Sequence, residues 1–120
     1  MGRPRFRPAQ AVTSPRDFGR SSEAVFLEPG PLPAHLRAWA IFQHKAALEV
    51  HEALSDLEMP LEDLADDLGE EPNWLRRKLH GQAPADLGDI MAWVNRFGLS
   101  VLPRISSSRE LLFDEMNWTP

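Results

Sequence analysis

Residues 61–81, LEDLADDLGEEPNWLRRKLHG, decide how the rest of the chain is read. Leu61, Leu64, Ala65 and Leu68 recur at helical spacing, with Glu62, Asp63, Asp66 and Asp67 on the other side, which predicts two turns of amphipathic helix. Gly69 follows at once and suits the left-handed conformation that ends a helix. Pro72 fits the first turn of a second helix, Glu70 and Glu71 suit its positive end, and Gly81 marks its finish. Arg76, Arg77 and Lys78 stand side by side in that second helix. Two short helices about a glycine turn, the second carrying three consecutive cations, make a helix-turn-helix arrangement.

Upstream, residues 34–58 contain neither Gly nor Pro, and Trp39, Phe42, Ala46, Val50, Ala53 and Leu57 fall on one face of a long helix. Pro33 stands where that helix begins and Pro60 beyond its end. Its length exceeds the mean of about 11 to 12 residues, so it either pairs with a second copy of the chain or breaks near its start. Downstream, Leu87, Ile90, Met91, Val94 and Phe97 predict a further amphipathic helix from Asp86 to Phe97, with Trp93 either buried or at an interface. An apolar segment over residues 99–105 has the character of an extended strand, and Ser108 caps a last short helix over residues 109–116.

Residues 1–33 hold six of the eleven prolines, five arginines and no amphipathic period, and are read as a flexible Arg/Pro-rich arm. The fold class expected is therefore all-α. It is a small bundle of four to five helices over residues 34–103 containing the helix-turn-helix, with a disordered N-terminal arm (1–33) and a C-terminal extension (104–120).

A net charge of -5 argues at first sight against a nucleic-acid partner, because phosphate neutralisation supplies most non-specific affinity. The charge is segregated, however. Residues 1–33 carry five cations against three acids, whereas residues 34–103 carry six against twelve. A basic arm and the Arg76–Lys78 cluster can meet phosphate while the acidic remainder limits indiscriminate binding.

With no cysteine, disulfides and thiolate metal sites are excluded, and a cytoplasmic location is the simplest expectation. No apolar run approaches the roughly 20 residues of a membrane span. His44 and His51 share a helical face, but a zinc site needs three or four ligands and no third His or Cys sits at the right spacing. Neither metal nor cofactor is expected. No nucleophile–base grouping or phosphate loop points to an enzyme.

The stretch LADDLGEEPNWLRRKLHGQAPADLGDIMAWVNRFGL resembles the lambda-repressor-like, or XRE-type, helix-turn-helix family. Leu64, Ala65, Leu68, Gly69, Leu75, Leu79 and Gly81 fall on that family's pattern, and residues 86–99 continue it; the likeness covers roughly residues 36–99. Glu70 and Glu71 stand where the family more commonly has an apolar residue and a Ser/Thr-like cap, and Trp74 where a small residue is usual.

The resemblance implies a bacterial or phage DNA-binding transcriptional regulator, a homodimer on double-stranded DNA, with the N-terminal half of the second helix in the major groove. Asn73, Arg76 and Arg77 are then the expected base readers, since Asn pairs with adenine and Arg with guanine through two hydrogen bonds. Pro72, Lys78 and Gln82 are expected at phosphates or the flank. Gly2-Arg3-Pro4-Arg5 resembles the core of an AT-hook, so Arg3, Arg5 and Arg7 are candidates for the minor groove. The alternative is a protein-interaction module of the same fold. Its support is the acidic charge of residues 34–103, Glu70-Glu71 at the docking edge, and Trp39, Trp74 and Trp93.

Overall fold

The computed structural model describes residues 6–27 and 30–99. Four α-helices follow one another: α1 (Ala34–Leu57), α2 (Leu61–Leu68), α3 (Pro72–Leu79) and α4 (Leu87–Phe97). Among the described residues there is no strand beyond an isolated bridge between Val12 and Phe26. The all-helical bundle is the architecture expected. The segments expected over residues 99–105 and 109–116, and the whole 104–120 extension, lie outside the described residues apart from Leu99.

The helix ends obey local chemistry. Pro72 opens α3, and the Glu71 carboxylate accepts the Trp74 backbone N–H at 2.9 Å, taking over the capping task of a Ser or Thr. Asp86 caps α4 through Asp89 N–H, while the Asp89 side chain accepts from Asp86 N–H in return, which satisfies two helix-end donors at once. Gly69 and Gly98 end α2 and α4 at φ 67° and 66°. Glu58 ends α1 in the same left-handed region at φ 51°, without the freedom of a glycine.

The main core lies between α1 and the three shorter helices. Ala46, Val50 and Leu54 of α1 meet Leu64 and Ala65 of α2, Leu75 and Leu79 of α3, and Ile90 and Trp93 of α4. Trp93 is buried, which settles its side of the helix. Leu87 and Met91, expected inside, are exposed at 60% and 44%, because α4 turns its Ile90–Trp93 side to the core. Leu57 is also exposed, standing in the last turn of α1.

Residues 6–27 depart from the flexible arm that their composition suggests. Two short 3-10 turns, Pro8–Ala11 and Pro15–Asp17, carry Ala9, Ala11, Val12 and Phe18 into a second apolar cluster with Ala40 of α1. This occupies the excess length of α1, which runs unbroken. The approach is close: Gly19 has φ 71°, and a Cβ there would lie 2.3 Å from the Leu79 carbonyl oxygen. Gly81 has φ 74°, and a Cβ there would lie 2.7 Å from the Phe18 ring. Both positions require glycine.

One buried amide links the halves of the bundle. Gln43 of α1 donates from Nε2 to the carbonyls of Lys78 (2.7 Å) and Ala83 (3.0 Å) and accepts the Ala85 N–H at Oε1 (2.8 Å). Trp39 adds a hydrogen bond from Nε1 to the Ala85 carbonyl at 2.7 Å. The end of α3 and its loop to α4 therefore hang on α1.

Gln43→Leu preserves bulk but leaves the Ala83 carbonyl and the Ala85 N–H without that partner in the interior, at about 1–3 kcal/mol for each group stranded, whereas the Lys78 carbonyl keeps the Gly81 N–H. The variant is expected to lose about 2–4 kcal/mol in chemical denaturation. A loss under about 0.5 kcal/mol, the scale of an ordinary surface change, would contradict this role.

Candidate nucleic-acid interface

The exposed side of α3 begins with Asn73 and Trp74. Arg76 and Arg77, half-buried, continue it. Arg76 is engaged on the surface: Nη1 donates to Asn73 Oδ1 at 2.7 Å and Nη2 to Glu62 Oε2 at 3.2 Å. Two expected base readers thus hold each other, with an acid of α2 completing the set. Exposed pairs of this kind contribute about 0–1 kcal/mol, against about 1–3 kcal/mol for a matched two-point contact to a base, so the internal set is exchangeable. Pro72, half-buried, serves as the first residue of α3.

Lys78 corrects an expectation. Instead of reaching outward to phosphate, its ammonium lies in the interior, 5% exposed, between Glu70 and Asp89, with the Asp89 contact at 2.9 Å. Burial alone would lower its pKa, but the hydrogen bonds and charges of the two carboxylates outweigh that and raise it above the ordinary value. Lys78 is a charged tie joining α3 to the turn before it and to α4. Glu70 and Glu71, expected at a docking edge, are thereby spent on Lys78 and on the α3 cap.

Arg77 has a different setting. Its guanidinium lies 5.2 Å from the Trp74 ring centre, in cation–π range, and Trp74 is 39% exposed. The Ala9 N–H donates to the Gly81 carbonyl at 2.9 Å, which fastens the N-terminal segment beside the end of α3. Arg7, Gln10, Arg77 and Gln82 consequently line one hollow of about 480 Å³. Next to it, Arg16, Arg20, His80 and Gln82 share a smaller one of about 200 Å³.

The structure thus brings together Arg7, Arg77 and Gln82 from the sequence expectation and adds Gln10, Arg16 and Arg20, which composition alone consigned to a loose arm. Among the described residues, Arg7, Arg16 and Arg77 make no ion pair. Arg3 and Arg5 lie outside the described residues.

Histidines sit under this surface. His44 is buried, its Nδ1 accepts the Gly19 N–H at 2.8 Å, and Phe18 and Phe26 present edges to its ring. Burial, helped by Lys45, lowers its pKa. His51 and His80 stack with ring centres 5.5 Å apart. Burial lowers His51 as well, and His80 falls to about 4 through burial, then the cation of Arg20, then His51 and Arg76. Arg20 Nη2 lies 3.2 Å from both ring nitrogens of His80. At neutral pH these rings are uncharged, so the basic character of the surface comes from arginine. Among the described residues no group of three side chains that could hold a metal comes together, and no helix is long and apolar enough to cross a membrane.

No family model, curated protein or solved structure matches the chain.

All three histidines bind a proton more weakly folded than unfolded, where about 6.5 is the ordinary value. Between that value and the folded one, about 4 for His80, the unfolded chain holds more protons, so stability falls as pH drops through the window. The denaturation midpoint is expected to be flat just above pH 7 and to decline from about 6.5 toward 4. His44→Gln, whose amide oxygen can take the Gly19 N–H, should lessen the decline. An unchanged midpoint between pH 7.5 and 4.5 would refute the assignment.

Proposed function

We propose that this protein is a sequence-specific DNA-binding regulator that reads double-stranded DNA with α3 and clamps the flanking backbone with residues 7–20. The observation that carries this reading is the single basic surface formed by Arg77 of α3 with Arg7, Gln10, Arg16, Arg20 and Gln82. An α-helix presenting Asn and Arg fits the major groove, where both side chains can make two-point contacts to a base. Arginines on the adjoining segment suit phosphate or the minor groove. The acids nearest α3 are engaged internally: Glu62 with Arg76, Glu70 with Lys78, and Glu71 with the helix cap.

An eight-residue reading helix offers few base contacts, so the working form is proposed to be a homodimer on two half-sites about one helical turn apart. Regulation of transcription in the cytoplasm is the process such binding would serve.

Selection of bound sequences from random duplexes should yield a preferred site whose affinity falls steeply with salt. On that site Arg76→Ala, which removes the arginine paired with Asn73, is expected to cost about 5- to 150-fold and to relax preference at one position. Arg7→Ala should weaken all sequences alike and reduce the salt slope by about 1. Fluorescence anisotropy measures both. Failure to enrich any sequence, with Arg76→Ala binding like the parent, would overturn the reading and favour a protein-interaction module.

A further inference from the structure

A second hollow of about 300 Å³ lies beside α3, lined by Phe6, Trp74, Arg77, Gln82, Ala83 and Pro84. Two aromatic rings, a proline and an alanine form its apolar walls. Arg77 and Gln82 supply the polar groups and also line the larger hollow that holds Arg7. An aromatic slot and a cationic slot therefore share one guanidinium and one amide. Apolar walls with a few convergent polar groups are the ordinary makeup of a small-ligand site, and this volume is at the lower end of the range for one.

A ligand that satisfies both slots has a planar aromatic ring and, one short linker away, an anion. An apolar side chain of a protein partner would use the first slot and leave the arginines unmatched. A bare phosphate would use only the second. A nucleotide uses both: its base stacks on the exposed indole, its edge can hydrogen-bond Gln82, and its phosphate meets Arg7 and Arg77.

We propose that the paired hollows form a site for one unpaired nucleotide, with its base against Trp74 and Phe6 and its phosphate between Arg7 and Arg77. The inference rests on the reading of α3 as a DNA-docking helix, and adds that the surface grips a base outside the duplex. The nucleotide comes either from a strand end or from solution; the chemistry recognised is the same.

The test uses the full chain and three probes: a blunt duplex carrying the selected site, the same duplex with a three-nucleotide overhang, and dTMP followed by tryptophan quenching. The overhang is expected to tighten binding by about 5- to 100-fold, as base–aromatic stacking allows. Trp74→Ala should remove that gain, so that blunt and overhanging duplexes bind this variant alike whatever its affinity for the blunt one, and Trp74→Phe should restore much of it. Quenching by dTMP that is lost in Trp74→Ala, without an overhang gain, supports the site and assigns it to a free nucleotide. Quenching by dTMP with no duplex bound at all would sink the DNA-docking reading and keep the slot. Equal binding of blunt and overhanging duplex, with no dTMP quenching, overturns the inference and leaves the duplex reading standing.

Discussion

A single side-chain amide sets the geometry on which the surface depends. Gln43 is buried in α1, where an unpartnered amide is costly, and it is satisfied by three backbone groups drawn from the end of α3 and the loop after it. Because those groups occupy fixed directions, the bonds fix both the end of α3 and the path of residues 82–85. Gln82 lies on that path and Gly81 just before it, and Gly81 in turn receives the N-terminal segment through Ala9. The relation of Arg77 to Arg7 is therefore a remote outcome of hydrogen bonding at Gln43.

Much of the fold was legible in sequence because the signals are local. Gly69, Pro72, Gly81, Asp86 and Gly98 each act within one turn of their own position, and the helices end where these residues dictate. Less legible were features that depend on groups far apart in the chain. Lys78 sits in a row with two arginines, and only the approach of Glu70 and Asp89 distinguishes it as interior. Residues 6–27 lack helical period because they pack as short 3-10 turns, whose few apolar residues gain a partner only once Ala40 of α1 is beside them. The Gln43-His44 pair on α1, off the marked apolar stripe, gave no sign of this either, yet both side chains prove buried. In the site, Arg7, Arg77 and Gln82 could be named from sequence, whereas their union with Arg16 and Arg20 required the fold.

Formal charge alone misrepresents the local field. Twelve acids in residues 34–103 suggest a surface hostile to phosphate. Around α3, however, Glu62 faces Arg76, Glu70 and Asp89 share Lys78, and Glu71 faces the Trp74 backbone N–H, so their negative potential is partly matched at short range. Arginines left without acidic partners act over longer distance, up to the screening length of about 8 Å in physiological salt. Segregation of this kind lets an acidic protein present one basic side.

The union of the N-terminal segment with Gly81 also orders events during synthesis. The contacts of Ala9 with Gly81 and of Arg20 with His80 span 60 or more residues. The segment precedes both α1 and α3 out of the ribosome; Ala40 of α1 can meet it early, but the Leu79–Gly81 part of its receiving surface emerges several seconds later, at about 5–20 residues per second. Phe18 can therefore shelter against α1 early, while the close seats of Gly19 on Leu79 and of Phe18 on Gly81 are filled only when the last-made part of the site arrives.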